Sequence, residues 1–118
     1  METFKHVNLD YLNEMSEGSE DLIRDLINMF IKQVPVFSEQ LDNFYNCGDY
    51  ISLGKLAHKI KSSVAMMGIE ELTSDMKQLE NIAKDGIDKE KYPNYISKFK
   101  AISNEAIIEL NGILTTLK

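Results

Sequence analysis

Apolar residues recur along most of the chain at spacings of three and four positions, with polar and charged residues between them. This spacing is the repeat of an amphipathic helix. No stretch alternates apolar and polar residues as a half-buried strand does. The pattern therefore predicts an all-α protein, built from four long helical stretches and one short stretch near the N-terminus.

Residues that start or stop helices separate these stretches. Three kinds of residue mark the boundaries: side chains that cap a first turn, glycines that adopt a left-handed conformation after a last turn, and a proline suited to a first turn. Pro35 lies inside the longest stretch, but the apolar pattern continues in phase across it, which favours a kink over a break. Short loops favour a four-helix antiparallel up-and-down bundle with a short additional N-terminal helix. The predicted helices cover residues 9–15, 20–47, 50–67, 69–85 and 93–117.

Length and composition fit one compact domain. A chain of 118 residues with 43% hydrophobic content can bury a single core, so residues 1–118 are predicted to form one domain. The one cysteine, Cys47, cannot form an intramolecular disulfide, and the N-terminal residues lack the apolar core of a signal peptide. No apolar run approaches the roughly 20 residues of a membrane span. We therefore expect a cytoplasmic protein without a membrane segment. We also expect a monomer.

Charge is unevenly distributed along the chain. The formal net charge of −6 disfavours nucleic acid as a partner, because that binding depends on basic residues that displace counterions from phosphates. Between Asp49 and Glu70, however, no acidic residue occurs, and Lys55, Lys59 and Lys61 all lie there. A basic interval in an acidic protein indicates where a partner docks.

His58 lies within this basic interval, on a helix whose two faces differ. At about 100° per residue, His58 points nearly opposite to the core-facing arc and is predicted to be exposed. The core-facing arc consists of Leu53, Leu56, Ala57, Ile60, Val64 and Met67. The neighbours of His58 on its own face are small or cationic, namely Gly54, Lys55, Lys61, Ser62 and Ala65.

The surroundings of His58 allow more than one interpretation. A solvated helix face carries histidine, lysine, serine and glycine without any function. Gly54 argues against that, because glycine inside an exposed helix costs roughly 1 kcal/mol relative to alanine. Small neighbours would let another protein approach the imidazole, and lysines would offset a negative charge placed on it. These features favour phosphorylation of His58, with Lys61 best placed to stabilise the phosphoryl group.

Other chemistries find less support in the sequence. A metal site would need a second close His, Cys or carboxylate ligand, and none lies on the face of His58. Hydrolysis would need an acid or base on that face, and no Gly-rich phosphate loop is present. His6, in a polar N-terminal segment, is expected to have no function. The acidic residues of the next helix are expected to form a solvated face: Glu70, Glu71 and Asp75.

The segment around His58 resembles the signature of histidine-containing phosphotransfer (HPt) domains. In that signature, alanine and the phosphorylated histidine are followed by an apolar residue, a lysine, small residues and a glycine. The corresponding run here is AHKIKSSVAMMG, from Ala57 to Gly68. The resemblance covers nearly the whole chain and extends to the Tyr11-Leu12 pair, Pro35 in the long helix, the Gly48-Asp49 turn and the Leu79-Glu80 pair.

The resemblance implies that His58 accepts a phosphoryl group from an aspartyl phosphate on a receiver domain and passes it to another receiver aspartate. The implied partners are receiver domains of a hybrid sensor kinase or a response regulator. The resemblance also implies that Lys61 offsets the phosphoryl charge and that the chain has no kinase activity of its own. No cofactor is implied on this chain, since the magnesium used in transfer belongs to the receiver. The implied docking face comprises Gly54, Lys55, Lys59, Ser62 and Ala65. Ser62 stands where the family usually has glycine. Gly68 is expected to be a structural helix terminator.

Two alternatives to phosphotransfer remain. The chain could be a helical-bundle interaction module that binds a receiver or another signalling protein without carrying phosphate. Such a module would be expected to lack the histidine or the lysine, and this sequence keeps both His58 and Lys61. The chain could also be a structural four-helix protein with a coincidental histidine, against which the small residues Gly54, Ser62 and Ala65 argue.

Overall fold

The computed structural model describes residues 5–117, and all regular structure in that range is helical. This confirms the predicted all-α class. A single turn of 3-10 helix, Lys89–Lys91, occupies the loop before the last helix. The helices are α1 (Leu9–Met15), α2 (Glu20–Cys47), α3 (Tyr50–Met66), α4 (Glu70–Asp85) and α5 (Tyr92–Thr116).

The helix boundaries follow local capping chemistry. The Ser19 hydroxyl accepts the Leu22 N–H at the start of α2. Gly48 adopts a left-handed conformation at the end of that helix, with a φ of 75°. Asp49 then caps α3 by accepting the Ser52 N–H, at 3.1 Å. These side chains fix where α3 begins and therefore where along it His58 lies.

The long helix α2 continues through Pro35 without a break. Proline removes one backbone donor and interferes with the preceding turn, so the continuity needs a compensating interaction. Val34 and Phe37, on either side of the proline, are both buried in the core. Packing on both sides of Pro35 thus supports a continuous helix; the expected absence of a break is confirmed, and the kink stays a prediction.

The four long helices share one hydrophobic core. Helix α3 packs against α2 and α4, and α5 packs against the same two helices. Every one of the six residues predicted to face the core from α3 is buried. The rest of the core comes mainly from large side chains of the other long helices, such as Ile27, Phe30, Leu72, Leu79, Phe99 and Leu110.

The N-terminal segment is attached where α3 ends. Gly68 has a φ of +71°, and a Cβ there would clash with Asn8, so glycine serves both the turn and the contact. The Asn8 N–H donates to the Met67 carbonyl at 3.1 Å. Gly68 therefore lies just past the end of α3, at the turn that leads toward α4.

His6 is less exposed than a polar N-terminal segment would suggest. Its side chain is only 5% exposed, and Nε2 lies 3.3 Å from Glu105 of α5. Its backbone N–H, with that of Val7, donates to the Glu109 carboxylate. His6 therefore belongs to the contact between the N-terminal segment and α5.

Candidate functional site

His58 lies near the middle of α3 on the face turned away from the core. Its side chain is 61% exposed, as the helical wheel predicts. The preceding residue, Ala57, is fully buried, which anchors the backbone directly beside the imidazole. The histidine is thus an accessible group on a fixed helix.

A carboxylate from α4 contacts both His58 and Lys61. Glu80 Oε2 lies 2.9 Å from His58 Nδ1, and Glu80 Oε1 lies 3.2 Å from Lys61 Nζ. The Glu80 and Lys61 side chains are about a quarter exposed, whereas the imidazole is largely open. One side chain of α4 therefore orients two side chains of α3.

The contacts of Glu80 decide which ring nitrogen of His58 carries the hydrogen. Partial burial alone would raise the pKa of Glu80, but hydrogen bonding and the charges of Lys61 and His58 outweigh it and hold the pKa below its ordinary value of 4.5. The group is ionised at neutral pH, and an ionised carboxylate only accepts hydrogen bonds. Nδ1–H of the neutral imidazole therefore donates to Glu80, and Nε2 retains its lone pair.

The structure brings most of the residues predicted for the docking face to the surface around His58. Lys55, Lys59 and Ser62 are exposed, and Ala65 is half-buried. The Lys59 ammonium lies 5.9 Å from the centre of the Phe37 ring of α2, which directs it toward that helix. The surface around His58 is thus cationic, with small side chains between the charges.

Gly54 differs from its prediction. The helical wheel predicts Gly54 on the exposed face, where it would give a partner room, but the structure buries it between α3 and α4. A Cβ at this position would lie 3.2 Å from the Lys84 nitrogen and 3.4 Å from the Glu80 carbonyl oxygen. The glycine lets the α4 backbone approach α3 closely, and this approach brings Glu80 within reach of His58.

A groove lies beside His58 between α3 and α4. Its volume is about 470 Å³, and it is open to solvent. Its lining consists of Ile51, Gly54, Lys55, His58, Glu80 and Lys84. An apolar side chain and two lysines therefore flank the histidine, on the side where Glu80 stands.

Three of these residues have roles that the sequence did not predict. In the sequence, Glu80 stands out only as part of a Leu-Glu pair, and nothing distinguishes Ile51 or Lys84 from other residues. Neighbours on α3 alone could not reveal Glu80 and Lys84, because both come from another helix, whereas Ile51 lies on α3 itself, two turns before His58. The weak signal was the Leu79-Glu80 pair, which places an acidic residue beside a core-facing leucine.

The acidic face predicted for α4 is only partly solvated. Glu70 and Glu71 are exposed, but Asp75 is buried. The Lys98 ammonium of α5 lies 3.0 Å from Asp75 and 3.2 Å from Glu71. These hydrogen bonds raise the pKa of Lys98 and connect α4 to α5.

The part of the chain that the structure describes contains no group of three or more His, Cys, Asp and Glu residues that could hold a metal ion. Within residues 5–117, no helix has both the length and the apolar character required to cross a membrane.

Comparison with known families agrees with the geometry of this site. A family model described as the Hpt domain matches residues 25–106, which are 82 of the 118 residues. The matched range contains His58, Lys61 and Glu80. Searches of curated proteins and of solved structures give no significant match.

Proposed function

The chain belongs to the Hpt domain family, and on that premise we propose that it is a histidine phosphotransfer protein of a multistep, two-component phosphorelay. In this role His58 accepts a phosphoryl group from the aspartate of one receiver domain and passes it to the aspartate of another. The observation that carries the proposal is the Glu80–His58 hydrogen bond, which leaves Nε2 of an exposed imidazole with its lone pair available.

The proposed reaction needs little from the protein beyond alignment and charge. The Nε2 lone pair attacks phosphorus, the Nε2–P bond forms, and the P–O bond to the donor aspartate breaks as the carboxylate leaves. Nδ1–H stays donated to Glu80, whose negative charge stabilises the positive charge that the ring gains. The same steps in reverse transfer the group to a second receiver.

Lys61 has two roles in this proposal. It holds Glu80 through its ammonium group, and it places positive charge on the face of His58, one helical turn away. A phosphoryl group carries about −1.5 to −2 charges and is stabilised by nearby cations. Lys61 therefore supports both the free imidazole and its phosphorylated form.

The remaining features of the proposal concern partners and setting. We propose receiver domains of a hybrid sensor kinase or response regulator as partners, a cytoplasmic monomer as the working form, and no nucleic-acid partner. As an Hpt domain, the chain would carry phosphate without initiating its transfer from a nucleotide. We place the magnesium ion of the transfer on the receiver and none on this chain.

We also propose that the bundle is antiparallel and that the chain forms one domain. Only residues 48–49 connect α2 to α3, and only residues 67–69 connect α3 to α4. Connections this short join neighbouring helices that run in opposite directions. The shared core of the four long helices supports a single domain.

The proposal is tested by the two histidines of the chain. His58→Gln is expected to abolish acid-labile, base-stable labelling from a phosphorylated receiver, because no ring nitrogen remains, while circular dichroism shows the same helical content. His6→Gln is the matched control and is expected to keep the label, because His6 is buried against α5. Label retained by His58→Gln would overturn the assignment. Binding of a receiver without any label on the wild type would favour the interaction module.

A further inference from the structure

The groove beside His58 continues along α3 toward the N-terminus of that helix. A second cavity, of about 330 Å³, lies between the start of α3 and the end of α4. The two cavities share Ile51 and Lys84. We call the combined feature the α3–α4 groove; it extends from His58 past Ile51 to Lys89.

Ile51 is the apolar side chain at the centre of the α3–α4 groove. It is 66% exposed, although it is a large hydrophobic residue. It precedes His58 by seven residues, which places it about 10 Å away along the helix and on nearly the same face. The fold makes little use of this side chain, because most of its surface is in contact with solvent.

The groove is cationic beside His58 and carries mixed charge farther away. Lys55 and Lys84 line the half beside His58, where the Glu80 carboxylate is already bonded to His58 and Lys61. Among residues 5–117, no carboxylate lies within ion-pair distance of Lys55 or Lys84. The far half is lined by Lys89 together with Asp49 and Asp85, and the Lys89 ammonium lies 5.0 Å from the centre of the Tyr50 ring. The positive charge is therefore concentrated between His58 and Ile51.

Any protein that delivers a phosphoryl group to His58 must cover part of this groove, because His58 lies at one end of it. A standard interface covers about 800 Å² on each partner, equivalent to a patch of about 16 Å radius. A patch centred on His58 includes Ile51 at its distance of about 10 Å. The acceptor pocket of a receiver is acidic, so its surface complements Lys55 and Lys84 in the half of the groove beside His58.

We propose that Ile51 is the apolar anchor for the receiver domain, and that the receiver lies along the α3–α4 groove with its acidic surface against Lys55 and Lys84. This inference rests on the proposed function and specifies the partner side of the same site. The receiver contributes an apolar residue that covers Ile51, beside the aspartate that carries the phosphoryl group. Ile51 sets how tightly the receiver binds, whereas His58 performs the chemistry.

The test uses a receiver domain phosphorylated with acetyl phosphate, chosen as the fastest donor to the wild-type chain in a panel of receivers. Ile51→Glu is expected to raise KM at least tenfold with little change in kcat, because a buried apolar contact becomes an unpaired charge. Ile51→Ala is expected to give a smaller rise. Ile108→Glu is the matched control, since Ile108 is 73% exposed on α5, and its KM is expected to stay within twofold.

The outcomes separate this inference from the proposed function. Thermal melting verifies that each variant is folded. We expect both variants to fold, because Ile51 and Ile108 are exposed in the wild type. Equal KM values for wild type and Ile51→Glu, with transfer intact, overturn the Ile51 anchor alone. Failure of every receiver to phosphorylate the wild type, although the small donor phosphoramidate labels His58, overturns the proposed function and this inference with it.

Discussion

At the scale of single residues, Glu80 connects the two groups that the proposed reaction uses. Its carboxylate accepts hydrogen bonds from the His58 ring and from the Lys61 ammonium. An isolated histidine favours no particular orientation of its ring, and both of its tautomers are populated. The hydrogen bond to Glu80 selects the tautomer in which Nε2 has no hydrogen and can act as the nucleophile.

Glu80→Ala is expected to shift the tautomer of His58 and to slow transfer. Without the acceptor, the Nε2–H form becomes populated, and Nitrogen-15 NMR of the imidazole reports the change directly. We expect kcat with a phosphorylated receiver to fall about tenfold, because a hydrogen bond to a charged group contributes about 1.5–3 kcal/mol and about 1.4 kcal/mol corresponds to a factor of ten. An unchanged tautomer ratio in Glu80→Ala would contradict the positioning role.

The pH dependence of folding gives a second readout of the same substitution. The folded-state pKa of Glu80 is lowered from 4.5, so its contribution to stability is present above pH 4.5 and is lost as the pH falls through the lowered value. Urea denaturation of the wild type is therefore expected to show this loss of stability below pH 4.5. Glu80→Ala is expected to lack that part of the acid dependence.

At the scale of helices, the contact between α3 and α4 determines the geometry of the site. Gly54 allows the backbone of α4 to approach α3, and the same stretch of α4 carries Glu80 and Lys84. The distance between the two helices therefore controls whether Glu80 reaches His58. A larger side chain in place of Gly54 is expected to destabilise the packing of α3 against α4. Any effect on the chemistry of His58 would follow from that altered packing.

Gly54→Leu is expected to destabilise the protein by about 1–3 kcal/mol, because the side chain would overlap the backbone of α4. Gly112→Leu is the matched control, since Gly112 lies in α5 and nothing lies within 4 Å of a Cβ there. Both substitutions gain helix propensity, so the difference between them isolates the contact with α4. Chemical denaturation measures the two free energies of unfolding; equal values would contradict the close-packing role of Gly54.

Apart from Ile51, the features that the sequence predicts depend on a single helix, and those that it misses depend on two. The exposure of His58 and the buried arc of α3 follow from spacing along one helix, and the structure confirms both. The contact with Glu80 spans 22 residues and depends on the rotation and distance of α4 relative to α3. Gly54 was misplaced for the same reason, because a helical wheel does not show where a neighbouring helix makes its closest approach.

At the scale of the whole molecule, net charge and local charge act in opposite directions. The formal net charge is −6, yet the face that carries His58 also carries Lys55, Lys59 and Lys61. An acidic receiver is repelled by the molecule as a whole and attracted by this face. At an ionic strength of about 0.1 M, exposed charges interact mainly within about 10 Å, so the local attraction dominates once the two surfaces approach.

Lys55→Glu and Lys32→Glu separate the effects of local and net charge. Each substitution makes the formal net charge two units more negative than its wild-type value of −6. Lys55 lines the groove beside His58, whereas Lys32 is exposed on α2 and lines neither cavity of the α3–α4 groove. Stopped-flow measurement is expected to show association with a receiver slowed severalfold at low salt for Lys55→Glu, with Lys32→Glu close to wild type. The difference is expected to shrink at about 0.5 M salt, because screening shortens the range of the attraction. Equal slowing by both substitutions would mean that net charge, rather than the lysines around His58, governs the encounter.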